Sequence, residues 1–209
     1  MVTLFYFAVL IALVKSHGRI LEPPGRSSAW RTGYSAPINY DDDQLYCGGF
    51  TRQHNVNEGR CGICGDAWDT PTPRENEDGG LYGTRRVYRT YSKDETVGVT
   101  IEITAHHKGY FEFRLAPVWS NNGTTQAELD KHLLYIEESK STRYTLPPGS
   151  GNGLYEFRVR LPTNVTCERC VMQWHWWTGN RWDICPDGRG QLGCGPQETF
   201  RGCSDIAIR

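Results

Sequence analysis

Alternating apolar and polar positions mark out strands in the second half of the chain. Val99, Ile101, Ile103, Ala105 and His107 share one parity of a run whose other parity holds Thr100, Glu102, Thr104 and His106, the period-two pattern of a strand with one buried face. The alternation restarts after Gly109, with Phe111, Phe113 and Leu115 against Glu112 and Arg114. It returns at Tyr155, Phe157, Val159 and Leu161 against Glu156, Arg158 and Arg160. Arg86 to Ser92, Cys170 to Trp177 and Phe200 to Ile208 are further strand candidates, separated by turn-forming stretches such as Pro147-Pro148-Gly149-Ser150-Gly151-Asn152. Helix is scarce: Thr125 and Glu128 stand at capping-box spacing, and that segment ends by about Tyr135. The pattern predicts an all-β chain, an antiparallel β-sandwich of the immunoglobulin or fibronectin type with one or two short helices.

From His17 to about Gly98 alternation is poor and Gly, Pro, Asn and Asp are dense. This stretch is expected to be a long loop region, ordered by cysteines and packed on the sandwich. No linker or internal repeat interrupts the chain, so residues 17–209 are expected to form a single domain. The preceding residues differ in kind. Leu4 to Val14 is an uncharged apolar run, too short for a bilayer, which needs about 20 residues, and followed by the small residue Ser16 where a signal peptidase would cut. Residues 1–16 are therefore expected to be a signal peptide and the mature protein to be secreted and extracellular.

Composition narrows the class. A formal charge of −1 from 23 basic and 24 acidic residues excludes the electrostatic footprint of a nucleic-acid binder or a polybasic membrane-surface protein. At 12% aromatic residues the chain has enough core-forming side chains to exclude disorder. Its eight cysteines therefore do not substitute for a missing core. Cys61-Gly62-Ile63-Cys64 and Cys167-Glu168-Arg169-Cys170 have the internal spacing of a zinc ribbon, but they lie far apart, and Cys47, Cys185, Cys194 and Cys203 need partners too. In an exported chain all eight are better read as four disulfides, whose roughly one hundred possible connectivities the sequence leaves open. Asn122-Gly123-Thr124 and Asn164-Val165-Thr166 are glycosylation sequons, consistent with the same export route.

Cleavage after Ser16 would make His17 the first residue. An N-terminal histidine offers two nitrogens, the α-amino group and imidazole Nδ1, which can close a chelate ring on one metal ion, and the amine loses its proton readily near neutrality. A second ligand is needed. His54 and His132 lie in polar surroundings, and His175 lies in the Trp-rich strand; His106 and His107 stand where a strand breaks at Lys108-Gly109. Parity groups His107 with the apolar set. A site of imidazoles and an amine favours copper on affinity and ligand type.

The residues also carry a resemblance. His17-Gly18-Arg19, Cys47-Gly48-Gly49, Gly59-Arg60-Cys61-Gly62-Ile63-Cys64-Gly65-Asp66, Ala105-His106-His107-Lys108-Gly109-Tyr110-Phe111 and Gly195-Pro196-Gln197-Glu198-Thr199-Phe200 together resemble the lytic polysaccharide monooxygenases, over essentially the whole of 17–209. The most similar group is the animal-rich auxiliary activity family fifteen, related to viral fusolins and bacterial chitin-binding monooxygenases. The resemblance implies a histidine brace in which His17 and His107 hold one copper ion. It places Phe200 at the axial position as a non-ligating residue, and Ala105 and Gln173 beside the metal, Gln173 orienting the oxygen co-substrate. His17, His107, Gln173 and Phe200 are thus the implied catalytic set, with Tyr40 as a candidate aromatic on the substrate surface.

The implied activity is copper-dependent oxidative cleavage of glycosidic bonds in an insoluble polysaccharide, chitin favoured over cellulose, using an external reductant and hydrogen peroxide or oxygen. The implied protein is a monomer with no nucleic-acid or membrane partner. Two other classes fit the same composition: a noncatalytic polysaccharide-binding protein of the same fold, and a structural extracellular protein braced by its cysteines. A hydrolase needs two carboxylates across a cleft, which no spacing here shows; Asp41-Asp42-Asp43 is expected to be a solvated turn.

Overall fold

The computed structural model describes residues 17–120 and 123–209. Residues 1–16, expected to be a signal peptide, and Asn122 therefore lie outside the described residues. Strands β1 (His17–Glu22), β2 (Arg89–Tyr91), β3 (Thr96–Ala105) and β4 (Tyr110–Pro117) are followed by a single turn of helix, α1 (Gln126–Leu129). Then come β5 (Tyr135–Ile136), β6 (Arg143–Thr145), β7 (Gly153–Arg160), β8 (Cys167–Trp177), β9 (Trp182–Ile184), β10 (Gly190–Leu192) and β11 (Thr199–Ile208). One sheet has the order β1-β3-β7-β5 and the other β2-β11-β8-β4-β6. All pairings in them are antiparallel except that of β2 with β11. The strands β9 and β10 form a separate hairpin.

The alternation explains why the sheets face each other. Val97, Val99, Ile101 and Ile103 of β3 are buried, as are Phe157 and Val159 of β7, and they meet Phe111, Phe113 and Leu115 of β4 in one shared core. Phe111 packs edge-on against Phe157 at 5.8 Å and against Trp174 at 5.5 Å, the arrangement that ring quadrupoles favour. On β8, Met172, Trp174 and Trp176 enter this core. The expected helix start is present: the Thr125 hydroxyl accepts a hydrogen bond from Glu128 N at 3.2 Å, but the helix stops at Leu129.

The region before β2 is mostly irregular, as expected, with one correction. Residues His17–Glu22 are a strand, paired with β3. The six residues carry too short and too mixed a pattern to announce it, and the strand ends at Pro23, which has no N–H to continue the ladder. A second correction concerns the acidic run. Asp42 is 1% exposed and is held by Arg19 and Arg31, while Asp43 accepts a hydrogen bond from the Thr104 hydroxyl at 2.7 Å. Only Asp41 is exposed as a turn residue. Partners distant in sequence drew the other two inward.

All eight cysteines are paired, as Cys47–Cys61, Cys64–Cys203, Cys167–Cys170 and Cys185–Cys194. The two ribbon-like pairs therefore do not converge on a metal. Beside Cys64–Cys203 lies a buried charge network that fastens the irregular region to β11. Arg26 donates through both Nε and Nη2 to the Asp205 carboxylate, at 2.7 and 2.8 Å, and to Asp78. Arg169 bridges the same two acids. Burial opposes ionisation of Asp78, yet hydrogen bonding from Arg169 and the charge of Arg26 outweigh it and hold its carboxyl below the usual value.

The turn from β3 into β4 is what presents His107. Lys108 and Gly109 both have left-handed backbone, with φ of 55° and 86°. A Cβ on Gly109 would collide with the carbonyl oxygen of Trp177, so glycine is required by both conformation and space. Hydrogen bonds from Gly179 N to His107 O and from Trp176 Nε1 to Lys108 O, each 2.8 Å, tie this turn to the end of β8.

Removing one acid from the buried network leaves two guanidinium groups sharing the single carboxylate of Asp78, so one buried positive charge is uncompensated. Asp205→Ala is expected to cost about 3–5 kcal/mol and to lower the unfolding temperature by about 10 °C. Calorimetry showing a variant within a degree or two of wild type would overturn this account of how the loops are held.

Candidate metal centre

Strand pairing brings the first described residue to the far end of β3. The register sets His17 opposite Ala105 and Ile20 opposite Ile101, so His17 sits at the sheet edge where β3 leads into His106 and His107. The Asp43 carbonyl accepts from Gly18 N at 2.9 Å, and Arg19 is clamped by Asp42, Asp43 and Glu102. The backbone beside His17 is therefore pinned on both sides.

His107 is buried, at 4% exposure. Burial first, then the neighbouring His106 and His17, push its imidazole down to about 4, so it is neutral near pH 7 and carries a lone pair. The Asn180 side-chain amide meets His107 Nδ1 at 2.7 Å. The atom at that distance is the amide nitrogen, which donates to Nδ1 and fixes the orientation of the ring. Asn180 was not foreseen from the sequence; its only signal is the Thr178-Gly179-Asn180 turn directly after the Trp-rich strand.

Three other histidines are occupied elsewhere. His106 accepts from Lys108 N through Nδ1 at 3.2 Å and meets the Ser150 hydroxyl through Nε2 at 3.0 Å, which makes it a turn-stabilising residue. His54 meets the Gln197 carbonyl at 2.8 Å. His175 is buried on the outward face of β8, stacked on Trp177 at 4.6 Å, where burial and then Arg201 and Arg114 keep it well below its ordinary pKa. Among the described residues no three His, Cys, Asp or Glu side chains cluster as a metal site. Two imidazoles are what this edge provides, and a third donor has to come from the backbone.

The remaining expected residues fall differently. Phe200 is fully buried beside the site's end of the core, 5.1 Å from Trp176 and 5.9 Å from Tyr46 between ring centres, and offers no ligating atom. Ala105 faces His17 across the ladder. Tyr40 is 78% exposed, its ring edge-on to Trp30 at 5.6 Å, in the segment that leads to Asp43. Gln173 is corrected. It lies on the face of β8 opposite Trp174 and Trp176, donating to Ile63 O at 2.6 Å and exchanging hydrogen bonds with Gln126. Its amide is consumed in fastening the irregular region and α1 to the sheet, and it is not brought to the histidines.

Residues 17–206 match the family described as lytic polysaccharide mono-oxygenase, cellulose-degrading. No curated protein sequence matches the chain. Among solved structures, a lytic polysaccharide monooxygenase AA15 from Thermobia domestica in the Cu(I) state is 46% identical, covering 92% of this chain and 98% of that one with a TM-score of 0.87. A chitin binding domain from Burkholderia pseudomallei shares the fold at 12% identity, covering 93% of this chain and 100% of that one with a TM-score of 0.55. The family match and the extent of the first likeness carry the same conclusion as the paired histidines: the chain belongs to the lytic polysaccharide monooxygenases and is similar to their AA15 group.

Proposed function

We propose that the protein is a secreted copper monooxygenase that cleaves crystalline polysaccharide, with residues 1–16 a signal peptide and 17–209 its single catalytic domain. The observation that carries this reading is the register that sets His17 opposite Ala105 and so beside His107. The donor set fits copper: two imidazoles and, once His17 is the first residue, its α-amino group. His17 would hold the ion through that amine and Nδ1, and His107 through Nε2. Copper, when bound, supplies one-electron exchange with an external reductant and activation of hydrogen peroxide or oxygen.

The chain supplies placement. Asn180 orients the His107 ring, Arg19 and Asp43 fix the backbone at His17, and Phe200 closes the inner side with a ring that ligates nothing. The exposed ring of Tyr40 suits stacking on a sugar face. Chitin as the preferred polymer rests on the resemblance to the animal-rich group that includes fusolin relatives, and cellulose is the second substrate to test. Export is supported by the leader's composition, by four disulfides and by Asn164 standing exposed in a turn, where a glycan can be carried. Among the described residues no helix is long and apolar enough to cross a membrane. The protein is proposed to act as a monomer.

Three measurements test this. Intact mass of the secreted protein is expected to place the N-terminus at His17; a chain that keeps Ser16 or lacks His17 sinks the amine ligand. Copper titration followed by electron paramagnetic resonance is expected to show a single site in wild type and, in His107→Ala, an altered spectrum with affinity reduced by more than the about ten- to hundredfold that loss of a ligand's supporting partner costs. An unchanged spectrum removes His107 from the site. Mass spectrometry of products from chitin and from cellulose, with added reductant, is expected to show oxidised oligosaccharides from chitin first. Binding without oxidised products from either polymer would instead identify a noncatalytic polysaccharide binder.

A further inference from the structure

The outward face of the five-stranded sheet carries a row of polar and charged side chains across four strands. Strand register sets His175 of β8 between Arg201 of β11 and Glu112 of β4, and sets Glu112 in turn opposite Arg143 of β6. Residues directly opposite on one face hold their Cβ atoms about 5 Å apart, so His175 and Arg201 are immediate neighbours. The loop carrying Cys61 and Gly62 lies against Arg201: both carbonyls accept from Arg201 Nη1 at 3.3 Å.

The protons in this row can be assigned. Arg114 Nη1 lies 3.3 Å from His175 Nδ1, and a guanidinium only donates, so Nδ1 is the acceptor. His175 is 1% exposed, and burial, then Arg201 and Arg114, disfavour its charged form. Its single ring proton therefore stands on Nε2. Nε2 of His175 and Nε of Arg201 are both buried, and neither has a hydrogen-bond partner among the described residues. Two neighbouring buried donors, one of them on a cation, thus share the want of an acceptor, a condition that buried polar groups seldom tolerate.

Charge points the same way. Glu112 is shared by Arg114 and Arg143, and Asp130, the acid that acts on Arg201, is already bound to Arg114 at 2.9 Å. Arg114, Arg143 and Arg201 therefore stand against Glu112 and Asp130, an excess of one positive charge on this face. We infer that His175 Nε2 and Arg201 Nε bind a small monovalent anion of the halide class, with chloride the ion available outside cells, beside the Cys61-Gly62 loop. An anion accepts from both donors and cancels the excess charge, whereas water does only the first. Both donor atoms are shut off from solvent, so the ligand is a single small ion and not the head of a larger molecule. Bound there, it fastens loop to sheet on the face of β8 that Gln173 and Cys64–Cys203 also hold. The inference is independent of the histidine pair and of the reaction proposed for it.

The test follows thermal unfolding of wild type and Arg201→Gln as sodium gluconate is replaced stepwise by sodium chloride at constant ionic strength, each with and without copper. Wild type is expected to gain about 3–6 °C once chloride exceeds its dissociation constant tenfold, equally in both copper states. Arg201→Gln is expected to gain nothing. In wild-type crystals soaked in sodium bromide, an anomalous-scattering peak is expected in contact with His175 Nε2 and Arg201 Nε, and this map decides alone if Arg201→Gln does not fold. Absence of any gain in wild type, or a bromide map with no peak at the two nitrogens, would overturn the site. So would a gain that Arg201→Gln retains, which marks a general salt effect, or one confined to the copper-loaded protein, which places the halide on the metal.

Discussion

The pairing of β1 with β3 holds the protein's chemistry in place, because the residue that begins β1 is itself the first of the two histidines. Ile20 faces Ile101 and both are buried. A slip of one residue would move His17 by about 3.4 Å and turn Ile20 outward, so the hydrophobic core keeps the histidine in position. The clamp on Arg19 and the hydrogen bond from Gly18 to Asp43 oppose the same slip from the polar side. His107 is fixed by other means, a left-handed turn hydrogen-bonded to the end of β8. The two histidines come from separate strands and reach the same edge through independent constraints.

The irregular region does more than fill the space around the sheets. It covers the outward face of the five-stranded sheet through Gln173 and Ile63, through Cys64–Cys203 and through the Arg26–Asp205–Asp78–Arg169 network. Burying such charges is costly unless every one is matched. Here two guanidinium groups face two carboxylates with bidentate geometry from Arg26, so the network specifies how the loops dock where apolar contacts are few.

These arrangements explain which features could be read from the residue pattern. Strands β3, β4 and β7 were legible because one face is buried and the other carries polar residues, and parity grouped His107 with the inward set. On β8 that logic fails. Residues 170–176 are buried on both sides, so alternation does not say which face meets the core and gives no check on the resemblance, which implies Gln173 beside the metal although Gln173 lies on the face held by Ile63 and Gln126. Asp42 and Asp43 looked solvated because their partners, Arg19, Arg31 and Thr104, are remote in sequence. The disulfide pairs were hidden for the same reason. The chemistry of His17 was legible from the leader, since cleavage after Ser16 would make a histidine the first residue and so join an amine to an imidazole; the resemblance added its pairing with His107 in a brace.

The bridge between Cys64 and Cys203 closes a circuit of 139 residues, worth about 5 kcal/mol on a chain-entropy account. It also decides what happens to a cut chain. His17 lies before the circuit and His107 within it, so a protease that cleaves any exposed turn between residues 64 and 203 leaves the two histidine-bearing parts covalently joined. The molecule can be nicked and still keep both halves of its site on one covalent body, until a reductant strong enough to open that bond reaches it.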